Sequence, residues 1–190
     1  MQRLPALRLM PLGGSITYGQ GSSHGNGYRQ ALRELLVADG HRVQMVGSRT
    51  AGTMTDNCNE GWRGFTVKQI EAKARRSVPR ALPNLFTVNA GSNDCIQALD
   101  LRSASQRVTD LLEFLWGHRQ ILPSYCLLCS SANKRLVLVD MHGPDGPQRD
   151  DLVDGTHPND DGYVKMAKIW HHGVGVAMAK GLLQPPQAPC

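Results

Sequence analysis

The feature that most restricts this chain's fold is an alternation. Short apolar runs bounded by glycine or asparagine take turns with longer segments whose apolar residues recur at helical spacing. Residues 7–12 read as a strand that ends in Gly13-Gly14. Residues 28–39 read as a helix, with Tyr28, Ala31, Leu32, Leu35 and Leu36 on one stripe and Gly40 at the stop position. Residues 41–47 form a second strand pattern, and residues 66–76 a second helix. In that helix Thr66 is placed to cap the start, and Val67, Ile70 and Ala74 share a face. Residues 85–89 read as a strand, 103–118 as a helix with Val108, Leu111, Leu112, Leu115 and Trp116 inward, and 136–141 as the clearest strand of all. A final helix over 159–180 carries Tyr163, Met166, Ala167 and Trp170 on one side. This order builds βαβ units, so the class is α/β with a mostly parallel sheet and helices on both faces. In such sheets, sites form at the carboxyl ends of the strands. The loops that matter are therefore 13–28, 48–64, 90–100 and 143–159.

The chain is long enough for one domain with a real core, taken here as residues 1–183, and the tail 184–190, with three prolines, reads as disordered. Net charge is +5, but Lys and Arg are scattered: the densest groups are Arg75-Arg76 and Lys134-Arg135. Nucleic-acid binding needs a clustered basic face and is not expected. No apolar run approaches the ~20 residues of a membrane span. The first residues run directly into a strand pattern, which leaves no room for a signal peptide. The chain is thus intracellular, or a mature or truncated form of a secreted protein. The five cysteines leave at least one unpaired; Cys126-Leu-Leu-Cys129 has redox spacing inside an apolar stretch. No histidine is spaced to complete a zinc site, so neither metal nor cofactor is expected. A monomer is expected.

Four short motifs carry the chemistry. Ser15 follows Gly13-Gly14 at the end of the first strand, where a sharp turn would expose its hydroxyl. Asp154-Gly155-Thr156-His157 lies before the last helix; a histidine is the usual base, and an aspartate three residues earlier can fix its tautomer. Gly91-Ser92-Asn93-Asp94 follows the 85–89 strand, where an Asn amide can donate to a developing oxyanion. Glu60-Gly61-Trp62-Arg63-Gly64-Phe65-Thr66 opens a helix, where a glycine N–H can point at an anion. Singly, these motifs also read as a turn serine, a capping loop with a surface histidine, an Asx turn and a helix start.

Their order and placement resemble the SGNH hydrolases, also called GDSL esterases/lipases, over nearly the whole chain from Leu9 to about Trp170. The resemblance implies a flavodoxin-like three-layer α/β/α fold and ester hydrolysis through an acyl-enzyme. By position it makes Ser15 the nucleophile, His157 the base and Asp154 its orienter. Ser15 N–H, Gly64 N–H and the Asn93 side chain become the oxyanion donors, with Gly61 as the less favoured glycine. The runs Met10-Pro11-Leu12-Gly13-Gly14-Ser15-Ile16-Thr17-Tyr18-Gly19, Asn26-Gly27-Tyr28-Arg29 and Met45-Val46-Gly47-Ser48 resemble carbohydrate esterase family three. So do Gly52-Thr53-Met54 and Glu60-Gly61. That group removes acetyl groups from xylan and related polysaccharides and is generally secreted. The implied substrate is a small-molecule or polysaccharide ester. Trp62 and Tyr18 would offer sugar-stacking surface, as would Tyr28, for which core packing is the favoured role.

Two departures from the family pattern stand out. Gly14 precedes the nucleophile where the family most often has Asp. Residues 121–131 are the candidate fourth strand, yet Leu136 already starts the next. A parallel crossover needs about a dozen residues, so the helix between strands four and five is expected to be missing. The competing functions are a lipid acyl-hydrolase or thioesterase with the same triad, and a truncated pseudo-esterase with impaired catalysis.

Overall fold

The computed structural model describes residues 4–117, 121–123 and 135–186. Its elements run β1 (Leu7–Gly13), α1 (Ser15–Tyr18), α2 (Tyr28–Ala38), β2 (Val43–Met45), β3 (Arg49–Thr50), β4 (Cys58–Gly61), α3 (Val67–Ala81) and β5 (Leu85–Asn89). They continue with α4 (Ser92–Ile96), a 3-10 turn at Leu101–Ser103, α5 (Ala104–Trp116), β6 (Ile121–Pro123), a 3-10 turn at Arg149–Asp151 and α6 (Asp160–Ala179).

The expected α/β class is the observed one. β1 pairs in parallel with β2, β4 and β5, and β5 pairs in parallel with β6. The antiparallel ladder is the short one between β3 and β4. Side chains of the central strands alternate between two cores, as a period of two requires. Leu7, Leu9 and Leu85 point into the core shared with Tyr28, Leu32 and Leu36 of α2 and Met166, Trp170 and Val174 of α6. Met10, Leu12, Phe86 and Val88 point the other way, against Val67, Ile70, Ala74 and Val78 of α3 and Leu111, Leu112 and Leu115 of α5. The sheet is thus buried on both faces, which makes the three-layer α/β/α architecture.

Helix boundaries follow local chemistry. Thr66 caps α3 through a reciprocal box with Gln69, as its position predicts. The helix runs past the expected end at Arg76, through Pro79 to Ala81. Val78 extends the 67–70–74 stripe into the core, and this packing outweighs the missing Pro79 N–H. Asn159 caps α6 by accepting the Gly162 N–H at 2.9 Å.

Two strand expectations need correction. The 41–47 strand is shorter, Val43–Met45, and it covers one half of β1. The other half is covered by β4, within the stretch expected to be a loop. The sequence Cys58-Asn59-Glu60-Gly61 shows no apolar alternation because its buried residues are polar. Asn59 and Glu60 are both fully buried and satisfied: Asn59 Oδ1 accepts the Gly61 N–H at 2.9 Å, and Glu60 takes both donors of Ser48. Residues 136–141, expected as the clearest strand, form no ladder among the described residues; Leu136 makes an isolated bridge. The alternation was real, since Val137, Val139 and Met141 are buried against α6 while Leu138 is 52% exposed. The pattern reports which side faces the core, and strand pairing is a separate condition. The fourth-strand candidate begins as expected with β6; its remainder and the expected missing helix fall on 124–134, outside the described residues, as does Cys126-Leu-Leu-Cys129. Gln184, at the start of the expected tail, gives its carbonyl to Asn84 Nδ2 at 2.7 Å. No helix among the described residues is long and apolar enough to cross a membrane.

Candidate active site

Ser15 is the first residue of α1, directly beyond the carboxyl end of β1. The turn that carries it is tight. A Cβ on Gly13 would stand 2.0 Å from the Asn89 carbonyl oxygen and 2.4 Å from Thr17 Oγ1, so only glycine fits. The Gly14 N–H donates to the Asn89 carbonyl at 3.3 Å, and α1 closes through Tyr18 N–H to Gly14 carbonyl at 3.1 Å. β1, β5 and the short helix therefore fix the serine between them. Gly14, where an aspartate would be usual in the family, leaves this turn closed by backbone bonds.

His157 comes from the opposite end of the chain. Its loop is a small hairpin: Leu152 and Pro158 form an antiparallel bridge, and the Val153 N–H donates to the His157 carbonyl at 2.9 Å. Ser15 Oγ and His157 Nε2 are 2.8 Å apart. His157 Nδ1 lies 2.6 Å from Asp154 Oδ2. Asp154 Oδ1 accepts the backbone N–H groups of His157 at 2.8 Å and Thr156 at 3.0 Å. These donors, His157 N–H first and the imidazole next, hold the Asp154 carboxyl down to about 2. The carboxylate is therefore ionised at any working pH and orients the ring with Nδ1 as donor. The structure thus brings Ser15, His157 and Asp154 into one hydrogen-bonded line.

Asn93, on α4, donates Nδ2 to the Phe65 carbonyl at 3.0 Å, and the same atom lies 3.4 Å from where a Cβ on Gly14 would stand. One of its two amide hydrogens is thus used to fix its position beside Gly14 and the other stays available. Gly64 lies on the loop before α3 at φ +75°, a left-handed conformation that favours glycine. Gln97 Nε2, just after α4, donates to its carbonyl at 3.4 Å, so α4 and the residue that follows it grip the loop at Phe65 and Gly64. Gly61 is the poorer candidate here too, since its N–H is spent on Asn59.

Sequence reasoning missed what holds these groups. Asp94 is almost fully buried; it accepts the Val67 N–H at 2.8 Å and the Arg107 Nε–H at 2.9 Å, locking the 91–94 turn to α3 and α5. Its place directly after Asn93 was the available signal. Arg29 is fully buried and donates to the carbonyls of Tyr18, Gly25, Ala51 and Asn57. A lone arginine on a helix gives no such hint. Tyr28 takes its favoured role: it lies in the core with its hydroxyl 3.1 Å from Thr87 Oγ1. Trp62 packs at 5.3 Å on Phe65, with Lys73 Nζ 4.2 Å and the Arg49 guanidinium 4.5 Å from its ring centre, so its faces are already engaged. Among the described residues no cluster of three or more His, Cys, Asp or Glu side chains could hold a metal ion.

Residues 9–122 match the GDSL-like lipase/acylhydrolase family. A multidomain esterase of Ruminococcus flavefaciens is 25% identical over 86% of this chain, which spans 28% of that protein's length. The fold is shared with the family 3 carbohydrate esterase of Clostridium thermocellum, at a TM-score of 0.79 and 23% identity over 92% of this chain and 98% of that one. A family 3 carbohydrate esterase from Talaromyces cellulolyticus superposes at 0.76, with 19% identity over 91% and 99% of the two chains. The chain belongs to the GDSL-like lipase/acylhydrolase family of carboxylic ester hydrolases, with a fold like that of the family 3 carbohydrate esterases.

Proposed function

We propose that this chain, as one domain over residues 1–183, is a serine esterase that removes acetyl groups from carbohydrate through an acyl-enzyme. The observation that carries the reading is the 2.8 Å contact between Ser15 Oγ and His157 Nε2, backed by Asp154 at 2.6 Å. Ser15 Oγ attacks the acetyl carbonyl while His157 Nε2 takes its proton. The Ser15 N–H, the Gly64 N–H and the free amide hydrogen of Asn93 receive the oxyanion. His157 then protonates the departing sugar oxygen, and a water repeats the attack to release acetate. Asp154 stays ionised throughout and stabilises the imidazolium.

A small acyl group is favoured by the recess beside Ser15. It is bounded by Ile16, Phe65, Ile70, Ala90 and Asn93 and holds ≈ 10 Å³, about one water-sized group. Carbohydrate as the alcohol is supported by the shared fold with two family 3 carbohydrate esterases. One observation favours a longer acyl chain: Ile96, Leu99 and Leu101, just beyond Asn93, are 64%, 39% and 60% exposed. Such a chain would have to lie on this outer surface.

The test is hydrolysis of p-nitrophenyl acetate, p-nitrophenyl octanoate and acetylated xylan by the wild type, Ser15→Ala and His157→Ala. The expected result is acetyl preference and loss of activity in both variants, on the order of 10⁴-fold or more, with melting temperatures close to wild type. Equal rates in all three proteins would refute the triad, and faster octanoate turnover would move the substrate from acetylated sugar to lipid or thioester.

A further inference from the structure

We propose that the groove between α3 and the β2–β4 edge of the sheet is a subsite for a carboxylate-bearing sugar on the same polysaccharide whose acetyl group reaches Ser15. This inference rests on the carbohydrate esterase reading. The groove encloses ≈ 470 Å³, within the range of ligand sites. Ser48, Glu60 and Trp62 form one wall, and Lys73, Arg76 and Arg80 of α3 form the other. Those three cations, with Ser77 between them, are spaced three and four residues apart, so they share one helix face. At 1.5 Å rise per residue, Lys73 and Arg80 lie about 10 Å apart along the axis.

Among the described residues, none of these three cations pairs with a carboxylate, whereas the neighbouring Arg75 pairs with Glu71 at 2.6 Å. Arg76 and Arg80 are like charges one turn apart, an arrangement that works against the helix unless something anionic lies over it. Glu60, the acidic residue of that wall, is fully buried, and its carboxylate is held by the Ser48 N–H, the Ser48 hydroxyl and Trp62 Nε1–H at 2.8–3.0 Å. A fourth cation, Arg49, lies 4.5 Å from the Trp62 ring centre. A concave wall of one charge sign concentrates anionic ligands. A neutral sugar would look for an open aromatic face, and the Trp62 ring is already covered by Phe65, Lys73 and Arg49.

The groove also opens in the right place. The Trp62 carbonyl oxygen is 3.9 Å from where a Cβ on Gly14 would stand, while the Trp62 side chain lines the groove. One residue therefore separates the nucleophile turn from the cations. A single phosphate or sulfate fits the Arg76–Arg80 pair, one turn apart, and leaves Lys73 over, whereas the whole row, about 10 Å long, suits carboxylates carried along a polymer.

The test compares acetylated glucuronoxylan, the same polymer with its uronates reduced to neutral sugars, and p-nitrophenyl acetate. Wild type should favour the acidic polymer at low salt and lose that preference by about 0.5 M salt. Lys73→Gln/Arg76→Gln/Arg80→Gln should lower kcat/KM on the acidic polymer about tenfold and leave the neutral polymer and p-nitrophenyl acetate unchanged. Lys68→Gln, on a different face of α3, should change none of them. No acidic-polymer preference in the wild type, or an equal loss on all substrates in the triple variant, would overturn the subsite. If p-nitrophenyl acetate is not hydrolysed at all, the esterase reading fails, and the subsite is judged by calorimetry with non-acetylated xylo-oligosaccharides. Uronate-bearing oligosaccharides must then bind wild type and not the triple variant. Equal binding of neutral oligosaccharides, or tighter binding of inorganic phosphate, would refute it.

Discussion

Arg29→Met should both loosen the fold and slow the reaction, because one buried guanidinium ties together the loops around the nucleophile. Arg29 Nη2 lies 3.0 Å from the Tyr18 carbonyl, 2.8 Å from that of Gly25 and 3.0 Å from that of Ala51; Nη1 lies 3.2 Å from that of Asn57. No carboxylate is among these partners, and Nε has no partner, so the cation gives up part of its solvation to hold four carbonyls. Methionine fills the volume but removes every guanidinium donor, taking this partner from the Tyr18, Gly25 and Ala51 carbonyls in a site with no solvent access to Arg29, while the Asn57 carbonyl keeps the Ala51 N–H and Asn59 Nδ2. Each buried carbonyl left without a donor costs about 1–3 kcal/mol, and relief of the cation's own desolvation offsets part of the sum, so the net loss is about 3–5 kcal/mol. For a domain of this size, each kcal/mol moves the midpoint by about 2–4 °C, so thermal melts followed by circular dichroism should fall by roughly 6–20 °C. Catalysis should suffer separately. Tyr18 ends the helix that Ser15 begins, so releasing its carbonyl lets the nucleophile shift, and a displacement of about 1 Å can cost about 10² in rate. The loss should appear in kcat for p-nitrophenyl acetate at a temperature well below the new midpoint. Arg29→Lys should recover little, because an ammonium cannot span carbonyls from separate loops. An Arg29→Met protein that melts within about 2 °C of wild type and keeps its kcat would refute this account.

Gly13→Ala forces a Cβ to within 2.0 Å of the Asn89 carbonyl oxygen, which is backbone and cannot swing aside; it should cost at least about 1–3 kcal/mol in urea unfolding and abolish esterase activity. Asn93→Ala should lower kcat by about 10²–10³ with KM little changed, if its free amide hydrogen meets the oxyanion, while a change confined to KM would count against that role. The Asp154 carboxyl should titrate near 2 by carbon-detected NMR and move part of the way back toward 3.8 in His157→Ala, since the backbone donors remain. Because its folded value lies below its unfolded one, its contribution to stability is complete above about pH 4 and is lost as pH falls through 2.

The readable parts of this chain are those where local pattern and burial agree. The stripe Tyr28–Leu32–Leu36 and the stripe Tyr163–Met166–Trp170 meet in one core, with the Tyr28 and Trp170 rings 5.9 Å apart. The placement of Ser15 after β1, Asn93 after β5 and Asp154/His157 before α6 was legible because each motif borders an element with a clear apolar pattern. β4 was not legible because Asn59 and Glu60 are buried by hydrogen bonding, a cause that hydrophobic periodicity cannot register. Residues 136–141 misled in the opposite direction: one-sided burial produces the alternation of a strand whether or not a neighbour supplies a ladder. The Trp62 platform failed for a third reason, since exposure of an aromatic cannot be judged before the cations around it are placed.

The shortened stretch after β6 raises the question of whether Ser15 and His157 can keep their register, since they lie on either side of it. Among the described residues, a set of contacts away from that stretch joins the two. The His157 hairpin is anchored to α6 by Asn159 N–H to the Asp151 carbonyl at 2.7 Å and by Lys165 Nζ to Asp151 Oδ2 at 2.6 Å. The start of α6 is in turn bound to the loop that follows Ser15. The Ser23 N–H and hydroxyl both donate to Asp160, at 2.9 and 2.6 Å, and the Tyr163 hydroxyl donates to the Gln20 carbonyl at 2.6 Å. Gly21 is pressed so close that a Cβ there would stand 2.6 Å from the Pro158 carbonyl oxygen and 3.1 Å from His157 Cβ. Behind these bonds, α6 packs on α2 and β1 through Trp170, Tyr28 and Leu9, while β6 lies on the far side of β5. The nucleophile and its base are thus joined through the 20–23 loop and the α2–α6 core. Among the described residues, the fifth strand position reaches this junction through Val137, Val139 and Met141 on α6, by packing rather than by a hydrogen bond to the His157 loop.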